Sequence, residues 1–260
     1  MKSLNYYIVE VDLDQPYTRK LGEIEIFSER VGSDYDLKPQ EGVVKVGIPN
    51  TDIKEGDTII FSHFASDRTT EYFGNICYCV KPSEVFAVKE NDTYEAINRI
   101  IATNVYREPK MSGKIFLEAT KKEIPQLFKI EAVPENVTFV KEGQYIYVTA
   151  NADYWIERLN KFFIVPENVV AIADEEYNIT EICNDFNIIK ILDEEDGFEK
   201  KGHIYVHKQN VTDNFIGEVI ESKTYTKGNK YFYKKKQHAK IIIKGEKMQA
   251  IRNRQMFVEL

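Results

Sequence analysis

One local pattern occurs three times in this chain and restricts its architecture more than any other feature. Lys54-Glu55-Gly56-Asp57 leads into Thr58-Ile59-Ile60-Phe61, Lys141-Glu142-Gly143-Gln144 into Tyr145-Ile146-Tyr147-Val148, and Thr226-Lys227-Gly228-Asn229 into Lys230-Tyr231-Phe232-Tyr233. The glycines are 87 and 85 positions apart. Glycine adopts positive φ without a Cβ clash, so each motif reads as a tight turn feeding an apolar strand. A second landmark closes each unit. Lys81-Pro82-Ser83-Glu84-Val85-Phe86-Ala87-Val88 aligns with Val165-Pro166-Glu167-Asn168-Val169-Val170-Ala171-Ile172, 84 residues later. Ile251-Arg252-Asn253-Arg254-Gln255-Met256-Phe257-Val258 follows after another 86 and lacks the proline.

A third landmark opens each unit: an apolar strand, a polar stretch, a glycine and a short apolar cluster. The strands are Tyr6–Val11, Arg99–Val105 and Asn187–Ile191, and the clusters follow Gly22, Gly113 and Gly202 at spacings of 91 and 89. Constant order at near-constant spacing implies tandem domains, drawn at 1–92, 93–177 and 178–260. The connections, Asn91-Asp92-Thr93 and the acidic Asp174-Glu175-Glu176-Tyr177-Asn178, are too short for flexible tethers, so neighbouring domains are expected to touch. Other apolar runs are equally short, among them Lys240–Ile243, and 16 Tyr and 15 Phe favour half-buried pleated surfaces. Only Asp92–Thr103 has a brief helical pattern. The expected class is all-β.

A length of 260 residues allows one to three domains, and 43% hydrophobic with 30% charged residues is a folded composition. The net charge of −7 argues against whole-chain nucleic-acid binding. No apolar run approaches the ~18 residues of a membrane helix. The first residues have no signal-peptide h-region. Cys77, Cys79 and Cys183 fit neither a disulfide framework nor a zinc motif, and a reducing cytoplasm is expected.

The joint order of these elements resembles the GroES-like co-chaperonins over nearly the whole chain, three times over. Glu41-Gly42-Val43-Val44-Lys45-Val46-Gly47 and Ile216-Gly217-Glu218-Val219-Ile220 match the family's second-strand element, and Phe128-Lys129-Ile130-Glu131-Ala132-Val133 stands there in repeat two without the glycine. The resemblance implies a small, partly open β-barrel per domain. It also implies a loop whose apolar tripeptide docks on the apical domain of a chaperonin ring, with ATP hydrolysed by that partner. Carried over by position, the docking residues are Ile115, Phe116 and Leu117, then Ile204, Tyr205 and Val206, then Ile24 and Ile26, where Glu25 places a charge between them. Two departures stand out. Only Ile48–Ile53 separates the second strand from the turn in repeat one, too short for the family's roof hairpin. Family rings have seven domains, which is not a multiple of three.

Each of these features also has a structural reading. The Ile24 and Ile26 alternation suits an edge strand packing inward. Lys223–Arg254 holds eleven Lys/Arg against Glu246, with Tyr225, Tyr231, Phe232 and Tyr233 interleaved. That basic C-terminal half of repeat three reads first as a solvated face or one complementing Asp193-Glu194-Glu195-Asp196, next as a surface for an acidic protein, and last as a nucleic-acid site. His203 and His207 flank a strand, where residues four apart are ~13 Å from each other, so no shared metal is expected. Cys77 and Cys79 read as strand residues and Trp155 as a core or interface residue. No GxSxG, GxxxxGK[ST], HExxH or GxGxxG is present, so neither enzyme activity nor a cofactor is expected. Alcohol dehydrogenases with GroES-like domains need a Rossmann half, which this sequence lacks. The expected function is a homo-oligomeric co-chaperonin. The alternative is a structural or assembly protein, viral ones included, that reuses the barrel. A nucleic-acid adaptor ranks third, and no membrane partner is expected.

Overall fold

A computed structural model describes residues 5–12, 17–21, 24–28, 38–105, 111–112, 115–116, 126–149, 153–156, 159–192, 198–201, 204–207, 214–234 and 239–260. The protein is all-β, built on three antiparallel sheets. Among the described residues the helical segments are 3-10 turns such as His63–Asp67 and Pro82–Glu84.

The first stretch of chain forms β1 (Tyr7–Glu10), the hairpin β2 (Tyr17–Leu21) and β3 (Ile24–Ser28), β4 (Glu41–Val46), β5 (Thr58–Phe61), the hairpin β6 (Thr69–Tyr72) and β7 (Asn75–Val80), β8 (Val85–Glu90) and β9 (Thr93–Ala96). The next forms β10 (Ile100–Asn104), the hairpin β11 (Met111–Ser112) and β12 (Ile115–Phe116), β13 (Leu127–Ala132), β14 (Tyr145–Val148), β15 (Asp153–Ile156), β16 (Lys161–Ile164), β17 (Val169–Ala173) and β18 (Ile179–Ile182). The last forms β19 (Phe186–Ile191), the hairpin β20 (Phe198–Lys201) and β21 (Ile204–His207), β22 (Asn214–Ser222), β23 (Lys230–Lys234), β24 (Ala239–Ile243), β25 (Glu246–Arg252) and β26 (Met256–Glu259).

Six strands follow the same order each time, and the first two sheets carry a seventh at the edge of the closing strand. The order is β6-β7-β1-β4-β5-β8-β9 in the first sheet, β15-β16-β10-β13-β14-β17-β18 in the second and β24-β25-β19-β22-β23-β26 in the third. Local chemistry repeats with it. The turn glycines Gly56, Gly143 and Gly228 have φ of 98°, 81° and 87°. Their N–H groups donate to the carbonyls of Val44, Ile130 and Val219 at 2.9, 2.9 and 2.8 Å, closing the second strand onto the third. A bulge recurs where that third strand meets the closing strand, at Ile60/Phe61, Tyr147/Val148 and Phe232/Tyr233. The closing strand is preceded by a 3-10 turn at Pro82–Glu84, Pro166–Asn168 and Asn253–Gln255. The third copy keeps this turn without a proline, and its Gln255 side chain accepts from the Arg252 N–H at 3.0 Å as Glu84 accepts from the Lys81 N–H in the first copy.

The helical pattern over Asp92–Thr103 does not produce a helix. The segment is β9, a crossing at Ile97–Arg99, and β10. Its apolar residues serve two sheets in turn, and their helical spacing comes from that change of sheet. Asn91 and Asp92 form the β8–β9 turn, with Asn91 at φ 54°.

The chain divides into two compact units: Met1–Lys122 with Lys129–Gly143 and Asp153–Pro166, and Glu123–Phe128 with Gln144–Ala152 and Glu167–Leu260. Two apolar clusters lie in the first unit among the described residues. One fills the first sheet with Tyr7, Val9, Val44, Ile59, Phe61 and Tyr78. The other joins Ile60, Phe86, Ala87 and Ala96 to Ile101, Ile156 and Phe163 of the following strands. The Phe86 ring stacks on Phe163 at 5.2 Å and meets Tyr154 edge-on at 5.0 Å. The Tyr154 hydroxyl donates to Gln40 Oε1 at 2.7 Å, accepts from the His63 N–H at 3.0 Å, and also meets His63 Nδ1. In the second unit, Ile189, Phe215, Val219, Tyr231, Tyr233, Ile251 and Met256 make the core of the third sheet.

Candidate functional site

The tripeptides named from the resemblance fall on one kind of element. Ile24 and Ile26 are on β3, Ile115 and Phe116 on β12, and Ile204, Tyr205 and Val206 on β21. Leu117 lies outside the described residues. In all three copies this element is the second strand of a two-stranded hairpin between the first and second strands of the large sheet, and the hairpin forms a sheet of its own. The registers pair Leu21 with Ile24 and Arg19 with Ile26, Met111 with Phe116 and Ser112 with Ile115, and Lys200 with Tyr205 and Lys201 with Ile204. Each hairpin is therefore fixed by its own backbone ladder. Any groups that its second strand offers to a partner come in strand spacing, with alternate residues sharing a face.

The other residues singled out in the sequence have structural settings. Cys77 and Cys79 are neighbours on β7, Cys77 buried and Cys79 half-buried, and burial raises both thiols above their ordinary range. Cys183 is buried at the crossing between β18 and β19, and burial pushes its pKa up to about 11. Trp155 stacks on Phe162, with centroids 5.9 Å and planes 10° apart. His207 ends β21, and His203 and His238 lie outside the described residues. Among the described residues no group of three His, Cys, Asp or Glu side chains is arranged to hold a metal ion. No helix among them is long and apolar enough to cross a membrane.

The basic segment Lys223–Arg254 is partly neutralised by acidic residues from several elements. Lys223 pairs with Glu181 at 2.7 Å, Lys227 with Glu221 at 2.5 Å and Arg252 with Asp185 at 2.5 Å. Arg252 also lies over the Phe186 ring at 4.3 Å. These exposed pairs add little stability, but they reduce the field that a polyanion would meet. The complementary stretch Asp193–Asp196 lies outside the described residues.

No family model matches the chain, and no curated protein matches it.

Proposed function

We propose that this protein is a co-chaperonin with three tandem GroES-like units, each a partly open barrel, which binds a chaperonin ring through its hairpin strands. The reading rests on one observation. The same separate hairpin stands at the same place in all three sheets, with an apolar cluster on its second strand. That repetition suits a binding element presented in several copies. A weak apolar contact repeated along one chain raises the overall affinity by avidity while each contact stays reversible. The cap is released when the partner turns over ATP, so this chain needs no catalytic group or cofactor. Phe116 and Tyr205, the aromatic residues of their tripeptides, are assigned the main docking role. Ile24 and Ile26, flanking Glu25, take the lesser one.

The test is light scattering coupled to size-exclusion chromatography, with the chaperonin of the same host and ADP. Co-migration that depends on nucleotide is the expected result. Phe116→Asp together with Tyr205→Asp should abolish it with far-UV CD unchanged. Co-migration that survives the double change sinks the docking assignment. No co-migration of the well-folded wild type sinks the co-chaperonin reading.

The second reading, a structural or assembly protein, draws on the apolar contact of Phe86 with Phe163 and Tyr154, which suits a fixed spacer as well as a cap. Protease mapping separates the two. The co-chaperonin reading requires cleavage within 108–119 in the free protein and protection with the ring, whereas a spacer resists cleavage alone.

A further inference from the structure

Among the described residues, two of the three large sheets have their closing strand covered on its outer side, and the third does not. β9 lies along β8 and β18 along β17, whereas β26 ends its sheet. The two covering strands use the same contacts. Ala96 stands opposite Ala87 and Ile182 opposite Ala171, while Glu95 stands opposite Val88 and Glu181 opposite Ile172. The next N–H groups, of Ile97 and Cys183, donate to the carbonyls of Phe86 and Val170 at 2.9 and 2.7 Å. An asparagine completes each clasp. Asn98 Nδ2 donates to the Val85 carbonyl and Asn184 Nδ2 to the Val169 carbonyl, both at 2.8 Å. The covering segments therefore share a signature, Glu95-Ala96-Ile97-Asn98 and Glu181-Ile182-Cys183-Asn184, with the asparagine two residues before the first strand of the next sheet.

The third edge is built for a strand of this kind but with a different charge. Phe257 and Val258 hold the places of Phe86 and Ala87, or of Val170 and Ala171. Phe86 and Val170 are 3% and 0% exposed, whereas Phe257 and Val258 are 51% and 56% exposed. Glu259 stands where the other two edges have Val88 and Ile172. A covering strand with glutamate at its usual position would set two carboxylates opposite each other, which is unfavourable across a strand pair. This edge calls for a base there.

The chain contains such a segment. Lys2-Ser3-Leu4-Asn5 precedes β1 as the two signatures precede β10 and β19, with Asn5 two residues before Tyr7 and Lys2 in the glutamate's place. Edge and strand thus change together: apolar to Glu on one, Glu to Lys on the other. We propose that residues 2–5 of a second copy add antiparallel to β26, with Lys2 facing Glu259, Leu4 donating to the Phe257 carbonyl and Asn5 to the Met256 carbonyl. The contact is heterologous, head to tail, and continues between chains the junction that each chain makes twice within itself. It is independent of the chaperonin reading, because it needs only this protein.

The experiment is sedimentation of the full-length chain over a concentration series. Wild type should self-associate. Lys2→Glu and Glu259→Lys should each raise the dissociation constant about tenfold, the range set by reversing a directly opposed charge pair. An equimolar mixture of the two variants should restore association, because each supplies what the other's interface lacks. Glu259 also accepts hydrogen bonds from Asn229 and from Tyr231 Oη. Glu259→Gln, which retains an acceptor there, therefore serves as the second variant and should fall between wild type and Glu259→Lys. Three results overturn the proposal: a wild type that stays monomeric throughout, single variants that associate like wild type, or a mixture no tighter than its parts.

Discussion

Phe86 and Phe257 occupy equivalent places on their closing strands, and truncating each separates a packed junction from an open edge. In Phe86→Ala the lost ring leaves its stacking on Phe163, its edge contact with Tyr154 and the Arg99 guanidinium 5.6 Å above it. The site is 3% exposed, and its neighbours belong to sheets that cannot collapse far into the gap. Truncating a buried phenylalanine costs about 3–5 kcal/mol, transfer and cavity together. For a cooperative unit of ~150–250 residues, 1 kcal/mol moves Tm by about 2–4 °C, so the first unit should melt roughly 6–20 °C lower. Trp155 is the chain's single tryptophan and adjoins Tyr154, which makes its fluorescence a direct probe of this junction. The control is Phe257→Ala, which removes a half-exposed ring and should cost the isolated chain less than about 0.5 kcal/mol. A Phe86→Ala loss below about 1 kcal/mol, or equal losses at the two sites, would refute the claim that this ring binds β8 to the strands that follow it.

Three further outcomes follow from the geometry. A Cβ at Gly42 would lie 2.5 Å from the Glu10 carbonyl oxygen and 2.7 Å from Val9 Cγ1, so Gly42→Ala should destabilise by about 1–3 kcal/mol in urea titration; a neutral result means that β1 and β4 separate cheaply. The Asp174 carboxylate accepts from the Asn178 side chain, the Asn178 N–H and the Glu176 N–H, which hold its pKa below the usual aspartate value, with Lys244 adding a small effect. A depressed folded-state pKa gives stability that is complete at neutral pH and lost as pH falls through the acid range, so Asp174→Ala should flatten the acid limb of a Tm–pH curve, and an unchanged limb counts against the turn. Cys183, with its thiol pushed up to about 11 by burial, should resist thiol reagents near neutral pH until the second unit unfolds, and rapid native labelling would contradict its placement.

Much of the sheet architecture could be read from periodicity and turn chemistry. Thr58–Phe61 and Tyr145–Val148 are strands over the ranges that their alternation and flanking glycines give. The third closing motif lost its proline yet keeps the 3-10 turn and the side-chain bond to the residue before it, Gln255 to Arg252 as Glu84 to Lys81. Asp92–Thr103 was opaque, since a local pattern cannot tell one helix from two strands that belong to different sheets. The same limit hid the candidate interface. Lys2 to Asn5 stands in plain view, but its likeness to Glu95–Asn98 acquires meaning only when β9 is found along β8, and pairing between distant strands leaves no periodic trace. Glycine in the second strand was misleading in another way. Phe128 holds in repeat two the place that Gly42 and Gly217 hold in the others, and it is fully buried, so the fold requires glycine there only where a neighbouring strand comes close.

The turn glycines present the opposite situation. Around Gly56, Gly143 and Gly228 nothing lies within 4 Å of where a Cβ would stand. These sites are thus indifferent to bulk and selective for handedness. Their φ is positive, the sign that L-residues avoid and D-residues favour, so D-alanine should fit each while narrowing the unfolded ensemble, a gain of about 0.4–1 kcal/mol per site. L-alanine of identical size would lose stability at the same three places. In a chain assembled by chemical ligation, a single stereocentre at each turn would reveal whether evolution kept glycine there for its smallness or for its lack of chirality.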